Sequence, residues 1–147
     1  MLPPFDAAGR LPEGTHVTAW AEFADRFGGS ARRTELLVGL AAALHLLRAA
    51  GCPRVFVGGS FVTAKPDPGD FDVAWDMAGV DADVLDPIFF DFEDERVAQK
   101  GQFGGEFFPA QLIEGATGRS FLEFFQRTRD DEPVGIVAIE LERSRKR

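Results

Sequence analysis

The 147-residue chain has one cysteine and two histidines, and each scarcity removes a class of chemistry. Cys52 alone cannot close an internal disulfide, which fits a reducing compartment. Placed between a helical pattern and a strand pattern, it reads as a small buried residue at the corner. His16 and His45 stand far apart and give no zinc-ligand spacing, which argues against a metal-dependent hydrolase built on histidine. Long hydrophobic runs are missing too: "LLVGLAAALHLL" is about half of what a bilayer span requires. No basic segment followed by an apolar one opens the sequence, so no secretory signal is read. The expectation is a cytoplasmic protein without a membrane partner.

Positive charge is also short. Sixteen basic residues against 24 acidic ones leave a formal charge of -8, a poor electrostatic start for gripping duplex nucleic acid through its phosphates. The exception is the basic tail "RSRKR", residues 143–147, which reads as a solvated terminus rather than a nucleic-acid contact.

What remains is the composition of a globular domain, 45% hydrophobic and 27% charged. The length suits one domain, residues 1–147, with a Pro- and Gly-rich arm over 1–17. From Thr18, a residue able to cap a helix, Trp20, Phe23 and Phe27 recur on one helical face until Gly28 and Gly29. Ser30 can cap a second helix carrying Leu36, Leu40, Ala43 or Leu44, and Leu47, closed by Gly51 and Pro53. Arg32, Arg33, Glu35 and Arg48 read as solvent-facing charges on it, and His45 as packed or partly exposed.

Val55-Phe56-Val57 is a short buried-strand pattern, followed by Gly58-Gly59-Ser60. "SFVTAK" can make one helical turn and "PDPG" is a loop by residue type. "DFDVAWD" then alternates as a second strand, which sets Asp70 and Asp72 on one face, makes Trp75 core, and leaves Asp76 facing solvent or ending the strand. A helix within "DADVLDPIFFDFEDERVAQK", a strand within "GQFGGEFFPAQLI", a helix with Phe121, Phe124 and Phe125 on one face, and a strand in "EPVGIVAIEL" follow. The expected order is helix, helix, strand, strand, helix, strand, helix, strand, an α/β (α+β) class with about four strands.

The chemistry concentrates between residues 54 and 76. A Gly-Gly-Ser turn after a buried strand exposes backbone N–H groups with no side chain in the way, and a following helical turn aims its positive end at the same place, so phosphate can sit there. Carboxylates at i and i+2 of one strand face can share hard cations such as Mg²⁺, which take oxygen ligands from protein and phosphate together. Together they describe a site for metal-assisted phosphoryl or nucleotidyl transfer.

Gly59-Ser60, nine intervening residues and Asp70-Phe71-Asp72-Val73 resemble the signature of the polymerase-beta-type nucleotidyltransferase superfamily. A narrower resemblance covers nearly the whole chain. "LPPFDAAGRLPEGTH", "WAEFADRFG", "GGSFVTAKPDPGDFDV" and "FFQRTRDDEPVGIVAIEL" look like the recurring blocks of a family of small, mostly uncharacterised bacterial proteins related to that superfamily. The superfamily resemblance implies an antiparallel or mixed sheet backed by helices, with Gly58, Gly59 and Ser60 at a nucleoside triphosphate, and Asp70 and Asp72 holding two Mg²⁺ (or Mn²⁺) ions. It also implies a third carboxylate from a later strand. Glu106 in "FGGEFFP" is the choice for it, with Glu140 and Glu93 as alternatives. Thr63 and Lys65, in the loop between turn and aspartates, are further nucleotide-binding candidates, since a lysine there could neutralise phosphate. The implied activity is transfer of a nucleotidyl group to an acceptor left open: a small molecule, a protein side chain or an RNA end. The alternative is a non-catalytic relative of the same fold that binds a nucleotide or a protein, as in a defence or toxin-antitoxin pair. The close aspartate pair favours the enzyme, because like charges held together have no structural reason to persist.

Overall fold

The computed structural model describes residues 1–141, so the basic tail at 143–147 lies outside the described residues. Five strands make one mixed sheet in the order β1-β5-β2-β3-β4. These are β1 (Thr15–Thr18), β2 (Arg54–Gly58), β3 (Phe71–Trp75), β4 (Gly105–Pro109) and β5 (Ile136–Glu140). The helices are α1 (Trp20–Phe27), α2 (Ala31–Ala49), α3 (Glu93–Phe103) and α4 (Phe121–Phe125). The α+β class holds, with one strand more than the apolar patterns indicate.

That extra strand is β1, inside the segment read as an arm. It pairs parallel to β5, Thr15 opposite Ile136 through Thr18 opposite Ile139. Only Val17 in it is strongly apolar, and Val17 is 56% exposed. Backbone hydrogen bonding to an open sheet edge forms this strand, and hydrophobic alternation cannot reveal it. The rest of the arm packs down through Leu2 and Leu11, both buried.

The sheet separates two apolar layers. Phe71, Val73 and Trp75 of β3, Val55 and Val57 of β2, and Val137 and Ile139 of β5 join α1, α2 and α3 in the main core. The opposite face is smaller: Phe56, Ala74, Ile136 and Ala138 meet Phe125 of α4. On β3 and β4 the period of two therefore sends Asp72 and Glu106 to the α4 face, because Phe71, Val73 and Phe107 belong to the main core. Fifteen phenylalanines supply much of the packing, with Phe23, Phe27, Phe61, Phe71, Phe89 and Phe107 each less than 2% exposed.

Local signals at the helix ends are met unevenly. Ser30 caps α2, its side chain accepting from the Arg33 N–H at 3.1 Å. Thr18 does not cap α1: Ala19 holds that position, and the Thr18 hydroxyl donates instead to Glu22 Oε1 at 2.6 Å. Cys52 is buried, its thiol donating to the carbonyls of Arg54 and Asp76, and burial pushes that thiol up to about 12.

Arg33 corrects the reading of α2 as carrying only solvated charges. It is 6% exposed, and its guanidinium donates to four carbonyls: Phe27, Phe61, Thr63 and Lys65, at 2.7 to 3.0 Å. A planar fork with five donors suits such a set of backbone acceptors. Asp76 is likewise buried at the end of β3, where it accepts from Arg54, Ala78 and Gln111 at 2.7 to 2.9 Å.

Candidate functional site

β2 delivers the chain to Gly58, and a single 3-10 turn, Gly59–Val62, follows at once. Gly59 sits at φ +73, in the left-handed region that glycine enters without a steric cost. A β-carbon placed on it would lie 2.7 Å from Oδ2 of Asp72, so the Asp72 carboxylate rests directly against the turn. This contact follows from sheet register, since Gly58 is the partner of Asp72 in the antiparallel β2–β3 pair.

The third carboxylate arrives by the same route. β4 runs parallel to β3 with Asp72 opposite Glu106, so two carboxylates project from neighbouring strands on the α4 face. The β4 edge is pinned by Gln99 of α3, fully buried, whose Oε1 accepts from the Phe107 N–H at 2.8 Å while its Nε2 donates to the Ile88 carbonyl. Glu140 is elsewhere: it pairs in register with Arg54 at the far end of β2 and accepts from that arginine at 3.0 Å. Glu93 is exposed at the start of α3.

The electrostatics confirm that the acidic groups feel one another. Burial, then the charges of Asp70 and Glu106, push the Asp72 carboxyl up to about 7. Glu106 is also raised, chiefly by burial, with Lys100 and Arg96 pulling against the change. Arg96 was not anticipated from the sequence. Its guanidinium lies 3.9 Å from the ring centre of Phe108 and 4.8 Å from that of Phe92. It gets there because Asp94, Glu95 and Arg96 form a left-handed turn, φ 50, 54 and 61, at the start of α3. Each such residue costs roughly 1–2 kcal/mol, the kind of local strain that clusters at functional sites.

These groups open into a cleft of about 820 Å³. Gly59, Asp72, Glu106 and Phe108 form one wall, and Phe124, Phe125 and the loop carrying Arg127 to Asp131 form the other. Asp70, one residue before β3, is half-buried and does not line the cleft. Gly58 is buried beneath Phe125, whose ring would meet a β-carbon there at 3.2 Å. Ser60 is half-buried, and its carbonyl accepts from the Thr63 N–H and hydroxyl. Thr63 and Lys65 line a separate cleft of about 380 Å³ with Phe5 and Arg33, on the other side of the turn. The structure thus unites Gly59, Asp72 and Glu106, and keeps Thr63 and Lys65 apart from them.

Among the described residues, no three His, Cys, Asp or Glu side chains are grouped so as to hold a metal ion by themselves. Two adjacent carboxylates nevertheless suit a hard cation. Mg²⁺ usually keeps several waters and takes one or two protein carboxylates plus substrate phosphates. Among the described residues, no helix is long and apolar enough to cross a membrane.

Comparison with known proteins gives a family. Residues 3–140 match the model of a family of unknown function, DUF6932. The chain belongs to that family. No curated protein and no solved structure matches it. Because the family match spans β1 to the end of β5, the whole sheet and the cleft are features of one DUF6932 unit.

Proposed function

We propose that the protein is a Mg²⁺-dependent nucleotidyltransferase that moves a nucleotidyl group from a nucleoside triphosphate to an acceptor hydroxyl. The observation that carries this reading is the register Gly58–Asp72–Glu106 across three adjacent strands, which sets two carboxylates beside the glycine turn at the mouth of a ligand-sized cleft. Asp72 and Glu106 would hold the cation, with Asp70 behind them adding negative charge. When bound, Mg²⁺ or Mn²⁺ supplies neutralisation of phosphate charge and lowers the pKa of an attacking hydroxyl. The acceptor oxygen forms a bond to the α-phosphorus as its hydroxyl proton passes to water, the bond from that phosphorus to the pyrophosphate oxygen breaks, and pyrophosphate leaves. Gly59 keeps the turn open to the phosphates, and the phenylalanine-lined wall excludes water. The acceptor is a small molecule, a protein side chain or an RNA end, and the reaction is placed in the cytoplasm, where nucleoside triphosphates are found.

One observation favours a second reading, a non-catalytic nucleotide- or protein-binding relative. Arg96 and Lys100 already offset the charge of the carboxylates, a task that a cation performs in an enzyme. Incubation with α-labelled nucleoside triphosphates, Mn²⁺ and host extract separates the two. Label transferred by the wild type and lost in Asp72→Asn supports the enzyme. Nucleotide binding without transfer supports the second reading, and neither binding nor transfer overturns the enzyme and leaves of the second reading only its protein-binding form.

A further inference from the structure

The wall of the cleft opposite the carboxylates carries three arginines, Arg119, Arg127 and Arg129, on a chain whose formal charge is -8. They are not equivalent. Arg119 is committed, its guanidinium donating to Asp131 at 2.9 Å. Arg127 has one N–H on the Asp131 carbonyl at 3.1 Å and, among the described residues, keeps the rest of its fork open. Arg129 makes no hydrogen bond or ion pair among the described residues. The loop that presents them is built rather than loose. Arg127 pairs with Pro133 in an isolated bridge, the Thr128 N–H donates to the Glu132 carbonyl, and the Asp131 N–H donates to the Thr128 carbonyl at 3.0 Å.

Beside these arginines lies Phe124, 39% exposed and lining the same cleft, while its neighbour Phe125 is buried against Phe108. An exposed aromatic face next to the unpaired Arg129 and the partly paired Arg127, with acidic groups across the gap, matches a ligand that is anionic at one end and flat at the other. A free anion is held by the arginine side alone, and the charges of Asp72 and Glu106 weaken that binding without abolishing it. A polyphosphate bridged to them by a cation, with its remaining charge on the arginine side, satisfies both walls.

We infer that Arg127 and Arg129 form the polyphosphate-binding wall of this cleft and that Phe124 is the platform on which the base of a nucleotide stacks. The identity of the ligand as a nucleotide rests on the nucleotidyltransferase reading. The anion wall itself does not, so the two can fail separately.

The test is calorimetric titration with inorganic tripolyphosphate in EDTA, followed by ATP with Mn²⁺. Arg129→Gln touches no intramolecular hydrogen bond and is the clean variant; Arg127→Gln is added to it. Charge-assisted hydrogen bonds imply about a tenfold loss of tripolyphosphate affinity for the first and about a hundredfold for the pair. Asp72→Asn should bind tripolyphosphate at least as well as wild type, because a repelling charge is gone. Phe124→Ala should lose about tenfold in ATP affinity and nothing for tripolyphosphate. Wild type that ignores tripolyphosphate, or Arg129→Gln and the double variant that bind it undiminished, overturn the anion wall. Equal loss of both ligands in Phe124→Ala overturns the stacking platform. Tripolyphosphate bound through the arginines without any ATP binding in Mn²⁺ leaves the wall standing and removes the nucleotide reading.

Discussion

The carboxylate of Asp72 occupies the space that a side chain on Gly59 would need, 2.7 Å from where its β-carbon would stand. Gly59 begins the turn that follows β2, and Asp72 faces the cleft from the neighbouring strand. No side chain can be added at Gly59 without moving the Asp72 carboxylate, so the turn and the carboxylate are packed as one unit.

Replacing Gly59 with alanine therefore meets two obstacles, the left-handed backbone and the Asp72 oxygen. The backbone alone costs roughly 1–2 kcal/mol, and the contact displaces Asp72 toward the cleft. We expect Gly59→Ala to fold with lowered stability in urea, and Gly59→Val to lose nucleotide affinity in Mn²⁺ as well. Undiminished nucleotide affinity in folded Gly59→Val would dissociate the turn from ligand binding.

Asp72 also sets a pH dependence. With its carboxyl raised to about 7 in the folded chain against 3.8 without the fold, the native state holds a proton that the unfolded state releases between those values. Stability therefore falls as pH rises through that window and stays low above it, by up to about 4 kcal/mol in the absence of metal. Asp72→Asn should be more stable than wild type at pH 8 in EDTA and gain much less at pH 4. Thermal melts at both pH values check this. An equal effect at the two would mean that Asp72 is solvated rather than held against Gly59, Asp70 and Glu106. Such a carboxylate, costly to the fold, is expected of a site kept for ligand binding.

Much of this unit was legible in the sequence because it depends on local order. Gly58-Gly59-Ser60 follows a buried strand, and the alternation of "DFDVAWD" fixes the face of Asp72. Glu106 could be chosen because it lies on the next strand, and the parallel register with Asp72 puts it alongside. The rest was hidden by distance or by backbone causes. Arg33 looks like any helix-surface arginine until residues 61 to 65 fold over it and offer their carbonyls. β1 is held by backbone pairing to β5, with almost no apolar pattern to announce it. Arg96 reaches Phe108 only through a left-handed turn of three non-glycine residues, which propensity alone would reject. The arginines of the 126–134 loop come from the far end of the chain, and only the docking of α4 on Gly58 carries them over the cleft.

Arg33 ties the loop after the glycine turn to α2, and its removal should be felt there. Arg33→Met deletes four donor contacts and leaves buried carbonyls unpaired, which implies a loss of at least about 3 kcal/mol. Arg33→Lys, able to keep one or two of them, should fall between. Urea unfolding gives the magnitude, and hydrogen exchange at residues 61–65 gives the place. A loss spread evenly over the protein would argue that Arg33 serves general packing and not the loop.

Arg96 tests what the carboxylates are for. Its charge acts on both Asp72 and Glu106, and its guanidinium is fixed over Phe108 on the same sheet face. A positive group so placed weakens binding of a divalent cation and supports the carboxylates when none is present. Arg96→Gln should therefore tighten Mn²⁺ by a few-fold, a factor of three being about 0.7 kcal/mol, which suits a half-screened charge. It should also raise the Asp72 carboxyl further, because an attracting charge is gone, and so extend the fall of stability to higher pH in EDTA. Mn²⁺ titration by water-proton relaxation, with and without ATP, reads the first effect, and pH-dependent melts read the second. If Arg96→Gln extends the fall of stability to higher pH without improving Mn²⁺ affinity, the arginine is the permanent partner of these carboxylates, and the non-catalytic reading becomes the stronger one.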